Sequence, residues 1–142
     1  MTNRSADDFA PIMPYLTVED GHAALAFYER AFAAETVHIV PTEDGDGILH
    51  ARFFVNGAMV MLCEETPDIP TGAGSPRSVG GTPVTIRLRL ADAAAVDALF
   101  DQAVKAGAEA VREPADMVWG ERYALLRDPA GHVWAIGGPL SD

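Results

Sequence analysis

The hydrophobic positions of the chain change from the period of a strand to the period of a helix twice, in two similar segments. Residues 16–34 and 88–106 both begin with apolar residues at alternate positions and continue with apolar residues three or four apart. Asp20 and Asp92 stand between the two patterns, where an aspartate side chain is suited to capping the first turn of a helix. The sequence therefore predicts an internal repeat of a strand followed by a helix.

Three strands are predicted to follow each helix. They cover residues 36–41, 48–55 and 58–63 in the first half and residues 109–113, 122–127 and 132–136 in the second. Asn56-Gly57 in the first half and Asp-Pro-Ala-Gly at residues 128–131 in the second mark the turn of a hairpin. The predicted fold is therefore a βαβββ module that occurs twice, over residues 11–65 and 82–138.

A glycine- and proline-rich linker, residues 66–81, joins the two predicted modules. Its length predicts a mobile loop that can serve as a lid. Neither predicted sheet can cover both of its faces alone, so we expect the modules to pack together. The whole chain, residues 1–142, is then a single domain of the α+β class.

Net charge and cysteine content narrow the range of functions. A formal net charge of −11 argues against nucleic acid and anionic membranes as partners, because basic surfaces bind both. Cys63 is the only cysteine, which excludes an intrachain disulfide and a thiolate metal cluster. The polar N-terminus and the short apolar runs predict neither a signal peptide nor a membrane span, so we expect a cytoplasmic protein.

Four stretches, in this order, resemble a known superfamily: PYLTVEDGHAALAFYERAFAAE, LHARFFVNGAMVML, GGTPVTIRL and WGERYALLRDPAGHVW. They are similar to the vicinal oxygen chelate superfamily of glyoxalases, bleomycin-resistance proteins and extradiol dioxygenases, and in particular to its PhnB-like branch. The resemblance implies that the two modules form curved, partly open barrel sheets whose concave face holds a ligand. Because many members are homodimers, it also implies a homodimer.

Metal-using members of this superfamily carry four ligands on the first and last strands of each module. Carried over by strand pattern, these positions fall on Met13, Met61, Thr85 and Ala135. None of these side chains is a good ligand for a hard or borderline divalent ion. The resemblance therefore leads us to expect no metal and no cofactor.

Alternation along the strands places further residues on the same concave face. Tyr15 shares a strand face with Met13, and Arg87 lies beside Thr85. A buried arginine needs an anionic or carbonyl partner, which is either a ligand carboxylate or a protein carboxylate such as Glu64 or Glu113. Trp119, Arg122 and Tyr123 come from a loop that enters a strand, where aromatic side chains offer stacking area for a flat ligand.

Two histidines are open to a functional or a structural interpretation. His50 shares a strand face with Arg52 and Phe54, so it is either a titratable group in the cavity and a candidate catalytic residue, or a histidine hydrogen-bonded across strands. His132 lies three residues before Ala135, on the opposite strand face, and is expected to be structural or exposed.

The first hypothesis is a metal-free protein that binds, and sequesters, a small organic or antibiotic-like ligand. Its predicted ligand-binding residues are Met13, Tyr15, His50, Met61, Thr85, Arg87, Trp119, Arg122, Tyr123 and Ala135. One alternative is a metal-dependent lyase, isomerase or dioxygenase with a different ligand set that includes His50 and Glu64. Another is a metal-free enzyme that uses His50, Tyr123 or Arg122 for acid–base chemistry.

Overall fold

A computed structural model describes residues 4–66 and 71–141. The elements follow one another as β1 (Tyr15–Val18), α1 (Gly21–Phe32), β2 (Glu35–Pro41), β3 (Ile48–Val55), β4 (Ala58–Glu64), α2 (Pro76–Val79), β5 (Thr85–Arg89), α3 (Ala93–Ala106), β6 (Glu109–Asp116), β7 (Glu121–Arg127) and β8 (Val133–Pro139). Apart from the short helix α2, which lies in the predicted linker, this order is that of two βαβββ modules.

The strands form two four-stranded sheets with the same internal order, β1-β4-β3-β2 and β5-β8-β7-β6. In each sheet the first strand pairs in parallel with the last strand of its module, and the other pairs are antiparallel. This arrangement confirms the predicted α+β fold of two repeated modules. The sheets are not hydrogen-bonded into a closed barrel, so each keeps an unpaired edge at β1 and at β5.

Strands β6 and β8 both extend three residues beyond their predicted ends. In β6 the register shifts between Ala110 and Arg112 and again between Arg112 and Ala115. Such irregularities let an edge strand continue through Pro114, whose nitrogen has no proton to donate. In β8 the strand continues through Gly138, where a side chain would meet the backbone oxygen of Asp92 at 2.5 Å. Glycine is therefore required at that close approach.

The two long helices begin at the predicted caps. Asp20 Oδ1 accepts from the backbone nitrogen of Ala23 at 3.0 Å, and Asp92 Oδ1 accepts from Ala95 at 2.8 Å. Gly107 ends α3 with a φ of 119°, a conformation that favours glycine. In the described part of the chain no helix combines the length and the apolar character needed to cross a bilayer.

One core forms between the helices and spans both modules. The ring of Tyr28 on α1 stacks on Phe53 of the first sheet, with centroids 5.0 Å apart. The ring of Phe32, also on α1, lies 5.0 Å from Trp134 of the second sheet. Trp134 and Ile136 are fully buried, so strand β8 turns these side chains toward the helices. The aromatic residues of the first module therefore pack against the second sheet.

A buried carboxylate at the β7–β8 turn connects the modules through hydrogen bonds. Asp128 is 2% exposed, and its Oδ2 accepts from the Tyr28 hydroxyl at 2.5 Å and from Trp134 Nε1 at 2.8 Å. Its Oδ1 accepts from the backbone nitrogen of His132 at 3.0 Å. Burial, followed by the Asp128 carboxylate, raises the pKa of Tyr28 well above its ordinary value of 10.0. The phenol therefore stays protonated and remains a donor.

The second half of the predicted linker is held against both modules. Ser75, which is fully buried, and Ser78 both donate their hydroxyls to Glu65 Oε2, at 2.7 and 2.6 Å. Arg77 Nε donates to the carbonyl of Pro129 at 2.7 Å. Residues 67–70, which belong to the predicted lid, lie outside the described residues. The described part differs from a loose linker because Ser75 caps the short helix α2, and the hydrogen bonds of Ser75, Ser78 and Arg77 hold this helix in place.

We expect Tyr28→Phe to lower the free energy of unfolding by ~1.5–3 kcal/mol, the range for a hydrogen bond to a charged group. The substitution keeps the ring in the core but removes one donor from the buried Asp128 carboxylate. Urea denaturation followed by tryptophan fluorescence measures the effect.

Tyr123→Phe is the matched control, because the Tyr123 side chain is partly exposed and lies outside the core. It should change stability by no more than about 0.5 kcal/mol, as is usual for surface substitutions. Equal stabilities of the two variants would show that the Tyr28–Asp128 contact does not stabilise the docked modules.

Candidate functional site

The unpaired edges of the two sheets border a cleft of about 540 Å³. Residues 12–17 along β1 form one wall and residues 81–86 along β5 form the other, and Pro76, Val79 and His132 complete the lining together with residues 73 and 74. Most of these side chains are apolar. Among the described residues that line the cleft there is no lysine, arginine, aspartate or glutamate. The cleft therefore has the size and the polarity of a site for a small organic molecule.

His132 connects the two modules at this cleft. Its Nε2 lies 2.9 Å from the carbonyl oxygen of Thr17 on β1. Because a carbonyl only accepts, Nε2 carries the proton and donates. This bond is consistent with the structural role expected from the sequence, and the ring also lines the cleft, which the sequence did not indicate.

The concave face of the first sheet continues from the cleft. By register, Tyr15 on β1, Met61 on β4, Arg52 on β3 and His38 on β2 lie side by side. Alternation puts His50 on the same face of β3. The sequence placed Tyr15 and Met61 on the concave face, and it placed His50 and Arg52 on one face of a strand. The structure brings these four residues together on one face of the first sheet.

Tyr15, His50 and Arg52 form a chain of hydrogen bonds across this face. The Tyr15 hydroxyl lies 2.7 Å from His50 Nδ1, and Arg52 Nε donates to His50 Nε2 at 3.0 Å. Since a guanidinium has no acceptor, the Nε2 atom of His50 must accept. A neutral imidazole then carries its proton on Nδ1. His50 is therefore hydrogen-bonded across strands, which is the structural alternative left open by the sequence.

Two pKa values in this chain of residues are shifted in directions that fit the assigned protons. Burial, the Arg52 guanidinium and the nearby His38 lower the pKa of His50 below 6.5. Burial is also the largest cause that raises the pKa of Tyr15 above 10.0, with Cys63 second, while Arg52 acts in the opposite direction. Near neutral pH, His50 is therefore neutral and Tyr15 is protonated.

The N-terminal segment covers part of this face. Arg52 Nη1 donates to the carbonyl of Ala6 at 2.9 Å and lies 3.6 Å from a carboxylate oxygen of Asp7. The Arg52 guanidinium also sits 4.8 Å from the centre of the Phe9 ring. This contact was not predicted from the sequence. The only signal for it is an aromatic residue, Phe9, within an otherwise polar N-terminus.

On the second sheet, Arg87 has a protein partner that the sequence did not suggest. Its guanidinium makes a bidentate contact with Glu121, in which Nη1 donates to Oε1 at 2.8 Å and Nη2 to Oε2. Trp119 Nε1 donates to Glu121 Oε1 at 2.8 Å, and the Trp119 ring lies edge-on to Tyr123. These donors lower the pKa of Glu121 to about 2, with Arg87 the larger cause. The expected partners Glu64 and Glu113 are thus incorrect, because the strand register brings β7 to Arg87.

Arg122 does not join these residues. Its Nε donates to Asp97 on α3 at 2.6 Å, and its Nη1 donates to Asp116 at the end of β6 at 2.9 Å. Alternation explains this placement, since Arg122 and Tyr123 are consecutive strand residues and point to opposite faces. Ala135, paired with Arg87 and Leu125, is 3% exposed on the concave side.

The residues at the four metal-ligand positions do not fit a divalent ion. Met13 and Thr85 line the cleft, whereas Met61 and Ala135 lie outside its lining. Together they offer two thioethers, one hydroxyl and one methyl group, which are not the oxygen and nitrogen donors that such ions prefer. In the described ranges, no group of three or more His, Cys, Asp or Glu side chains is placed to hold a metal.

The alternative ligand set that includes His50 and Glu64 is not brought together either. Glu64 follows Cys63 on β4 and turns to the helix side, where its Oε2 accepts from the backbone nitrogen of Gly21 at 2.7 Å. His50 lies on the concave face with Tyr15. The sheet itself therefore separates these two side chains, so they do not form a common metal site.

Comparison with known proteins gives a consistent set of relatives. A family model described as "Glyoxalase/Bleomycin resistance protein/Dioxygenase superfamily" matches residues 9–136. An uncharacterized protein of Mycobacterium bovis is 42% identical over 132 residues, which cover 92% of this chain and 84% of the relative. One of Mycobacterium tuberculosis has the same identity over the same length and is covered to 75%.

Two solved structures illustrate the similarity of fold. TioX from Micromonospora sp. ML1 is 27% identical with a TM-score of 0.72, and the match covers 92% of this chain and 99% of TioX. The fosfomycin resistance protein FosX from Listeria monocytogenes, solved with Mn(II) and sulfate, is 17% identical with a TM-score of 0.68 over 92% of this chain and 90% of FosX. At that identity the likeness to FosX concerns the fold alone.

We expect the free energy of unfolding to decrease as the pH is lowered from about 7.5 to about 5.5, in part because of His50. The folded state lowers the pKa of His50, so the unfolded chain takes up this proton at a higher pH than the folded chain does. The stabilising contribution is therefore present above pH 6.5 and is lost as the pH falls below it. Urea denaturation at the two pH values should give a smaller difference for His50→Asn than for the wild type.

His22→Asn is the control, since it removes a histidine from the exposed face of α1. Its pH dependence should be close to that of the wild type. If His50→Asn retained the full wild-type difference, the assignment of a neutral, partly buried His50 would be wrong.

Proposed function

The chain belongs to the Glyoxalase/Bleomycin resistance protein/Dioxygenase superfamily, and from this premise we propose that it binds a small organic molecule in the cleft between β1 and β5 without a metal ion. The observation that carries the proposal is an uncharged cleft of about 540 Å³ between the two modules. This volume lies in the range of small-molecule sites, which are mostly apolar with a few polar groups that fix orientation. Tyr15, Thr17, Thr85 and His132 supply such polar groups here.

The chemistry of the lining favours binding by burial of apolar surface. Met13, Ile86 and Val79 belong to the lining, and methionine adapts to ligands of irregular shape. Without oxygen- and nitrogen-rich side chains at Met13, Met61, Thr85 and Ala135, a ligand has no metal ion to coordinate. We therefore propose sequestration of an apolar, antibiotic-like molecule rather than metal-assisted conversion of a substrate.

Trp119, Tyr123 and Arg87 lie outside the cleft lining, and we also propose that they contribute to ligand binding from the concave face of the second sheet. The side chain of Trp119 is 61% exposed, and its edge-on contact with Tyr123 presents aromatic surface. Arg87, already paired with Glu121, holds this group in place rather than providing a free positive charge.

A homodimer and a cytoplasmic location complete the proposal. Val118 is fully exposed and Trp119 lies next to it, so two large apolar side chains face solvent at one loop. We propose that a second chain covers this apolar pair. The cytoplasmic location is supported by the presence of only one cysteine, Cys63, which is buried as a free thiol.

We expect wild-type protein to bind the neutral fluorophore N-phenyl-1-naphthylamine, and Val84→Trp to weaken this binding by about tenfold or more, equivalent to ~1.4 kcal/mol. Val84 lines the cleft and is 63% exposed, so the larger side chain enters the cleft without disturbing the core. Fluorescence titration measures the affinity. Val104→Trp, on the exposed surface of α3, adds the same bulk away from the cleft and should leave the affinity unchanged.

The metal-free part of the proposal is checked on the same protein, purified without an affinity tag. Probe affinity should be unaffected by dialysis against EDTA, and mass spectrometry should find no stoichiometric zinc, nickel, manganese or iron. A stoichiometric metal whose removal abolishes binding would instead support a metal-dependent enzyme.

We expect sedimentation equilibrium to give twice the chain mass of 15.1 kDa. Val118→Glu should weaken this association, because it places a charge at the proposed contact. Glu43→Gln changes a charge at an exposed position in the β2–β3 turn and should leave the mass unchanged. A single species of 15.1 kDa at all concentrations would contradict the dimer.

A further inference from the structure

We propose that the Tyr15 hydroxyl is the hydrogen-bond donor that recognises the ligand, and that the cleft selects neutral molecules carrying an oxygen acceptor, such as a ketone, ester or amide. This inference rests on the proposed function, since it specifies the class of molecule that the cleft takes. His50 and Arg52 are positioning residues, because they act on the ligand only through Tyr15.

The directions of the hydrogen bonds in the Tyr15–His50–Arg52 chain leave the Tyr15 hydroxyl proton without an acceptor in that chain. Arg52 donates to His50 Nε2, so the single proton of the neutral imidazole lies on Nδ1 and is donated to the Tyr15 oxygen. If the Tyr15 hydroxyl donated to Nδ1 instead, the imidazole would have no proton at all. Tyr15 is therefore an acceptor in this bond, and its own O–H proton is free to be donated elsewhere.

In the part of the chain that the structure describes, no group accepts a hydrogen bond from the Tyr15 O–H. Among residues 4–66 and 71–141, the Tyr15 hydroxyl has no hydrogen-bond partner besides His50. A donor that lacks an acceptor is satisfied by solvent or by a ligand. Since Tyr15 is only partly buried and lines the cleft, its hydroxyl is available to a bound molecule.

Tyr15 lines the cleft, but its hydroxyl lies on the adjoining concave face of the first sheet. Tyr15 stands on β1, the edge strand that borders the cleft, and its side chain reaches across β4 to His50 on β3. Met61, His50 and Arg52 lie outside the cleft lining, so a ligand reaches the Tyr15 hydroxyl only if it extends from the cleft over Met61 onto the concave face. The edge-on contact of the two rings, with centroids 5.4 Å apart, holds the phenol in this position.

The charges around the site favour a neutral ligand over an anion. Arg52 is engaged with the Ala6 carbonyl and Asp7, Arg87 is engaged with Glu121, and no arginine or lysine of the described part of the chain lines the cleft. A carboxylate in the uncharged cleft would lose its hydration without gaining a positive partner, which is costly. A neutral carbonyl requires only one donor, and the Tyr15 hydroxyl provides it. The phenol stays protonated near neutral pH, as its raised pKa requires.

The test uses two neutral probes, with and without a strong acceptor. Prodan is a naphthalene ketone whose emission moves to longer wavelength when its carbonyl accepts a hydrogen bond, and N-phenyl-1-naphthylamine lacks such an acceptor. Tyr15→Phe should weaken Prodan binding by about two- to tenfold, the effect of one neutral hydrogen bond. The emission of bound Prodan should also shift to shorter wavelength, while the affinity for N-phenyl-1-naphthylamine stays within about twofold.

His50→Leu tests the positioning role. It removes the group that fixes the Tyr15 hydroxyl but leaves that hydroxyl in place. We expect the emission of bound Prodan to lie between those of the wild type and Tyr15→Phe, and an emission identical to that of the wild type would overturn the positioning role of His50. Circular dichroism of each variant confirms that it is folded. The wild type alone also tests the inference, because Prodan bound to it should emit at the longer wavelength of a hydrogen-bonded carbonyl.

Each outcome separates this inference from the proposed function. If the wild type binds neither probe, the proposed function fails and this inference fails with it. If the wild type binds N-phenyl-1-naphthylamine but not Prodan, or if Tyr15→Phe leaves the affinity and emission of Prodan unchanged, the inference is overturned and the proposed function stands. An equal loss of both probes in Tyr15→Phe would also overturn it, because the ring would then act by packing alone.

Discussion

The buried carboxylate of Asp128 is the constraint on which the arrangement of the two modules depends. A buried charge is costly unless donors surround it, and here the donors come from α1 of the first module and from the hairpin of the second. The carboxylate therefore has all three of its donors only when the modules are docked. The docked position fixes the distance between the edges of β1 and β5, and His132 secures it from the same turn. The cleft is thus shaped by polar contacts in and beside the core.

The repeat, the order of elements and the helix ends were predictable because local interactions determine them. Side-chain period distinguishes strand from helix, and the caps at Asp20 and Asp92 need only backbone atoms three residues away. Alternation also places Tyr15 on the concave face and Trp134 in the core. The side of a sheet on which a residue lies was therefore accessible from the sequence, as far as strand bounds were correct.

Partners across the sheets and between modules were not predictable, because they depend on register and docking. The partner of Arg87 is Glu121, which becomes adjacent only through the pairing of β5, β8 and β7. Arg52 meets Ala6 through a segment that has no periodic pattern. The extra length of β6 depends on bulges, which leave no signature in residue period. For the candidate site, the sequence indicated the faces, but the structure was needed for the hydrogen-bond directions.

The Tyr28–Asp128 contact makes the two halves of the repeat unequal. Phe100 occupies in α3 the place that Tyr28 occupies in α1, eight residues after the capping aspartate, and Asn56 occupies in the first hairpin the place of Asp128 in the second. Asn56 donates instead to the carbonyl of Arg89. A tandem of two first modules would therefore have the phenol without the carboxylate, and a tandem of two second modules the carboxylate without the phenol. If the chain arose by duplication, its two modules have since diverged, so that each supplies one partner of this contact and neither can replace the other.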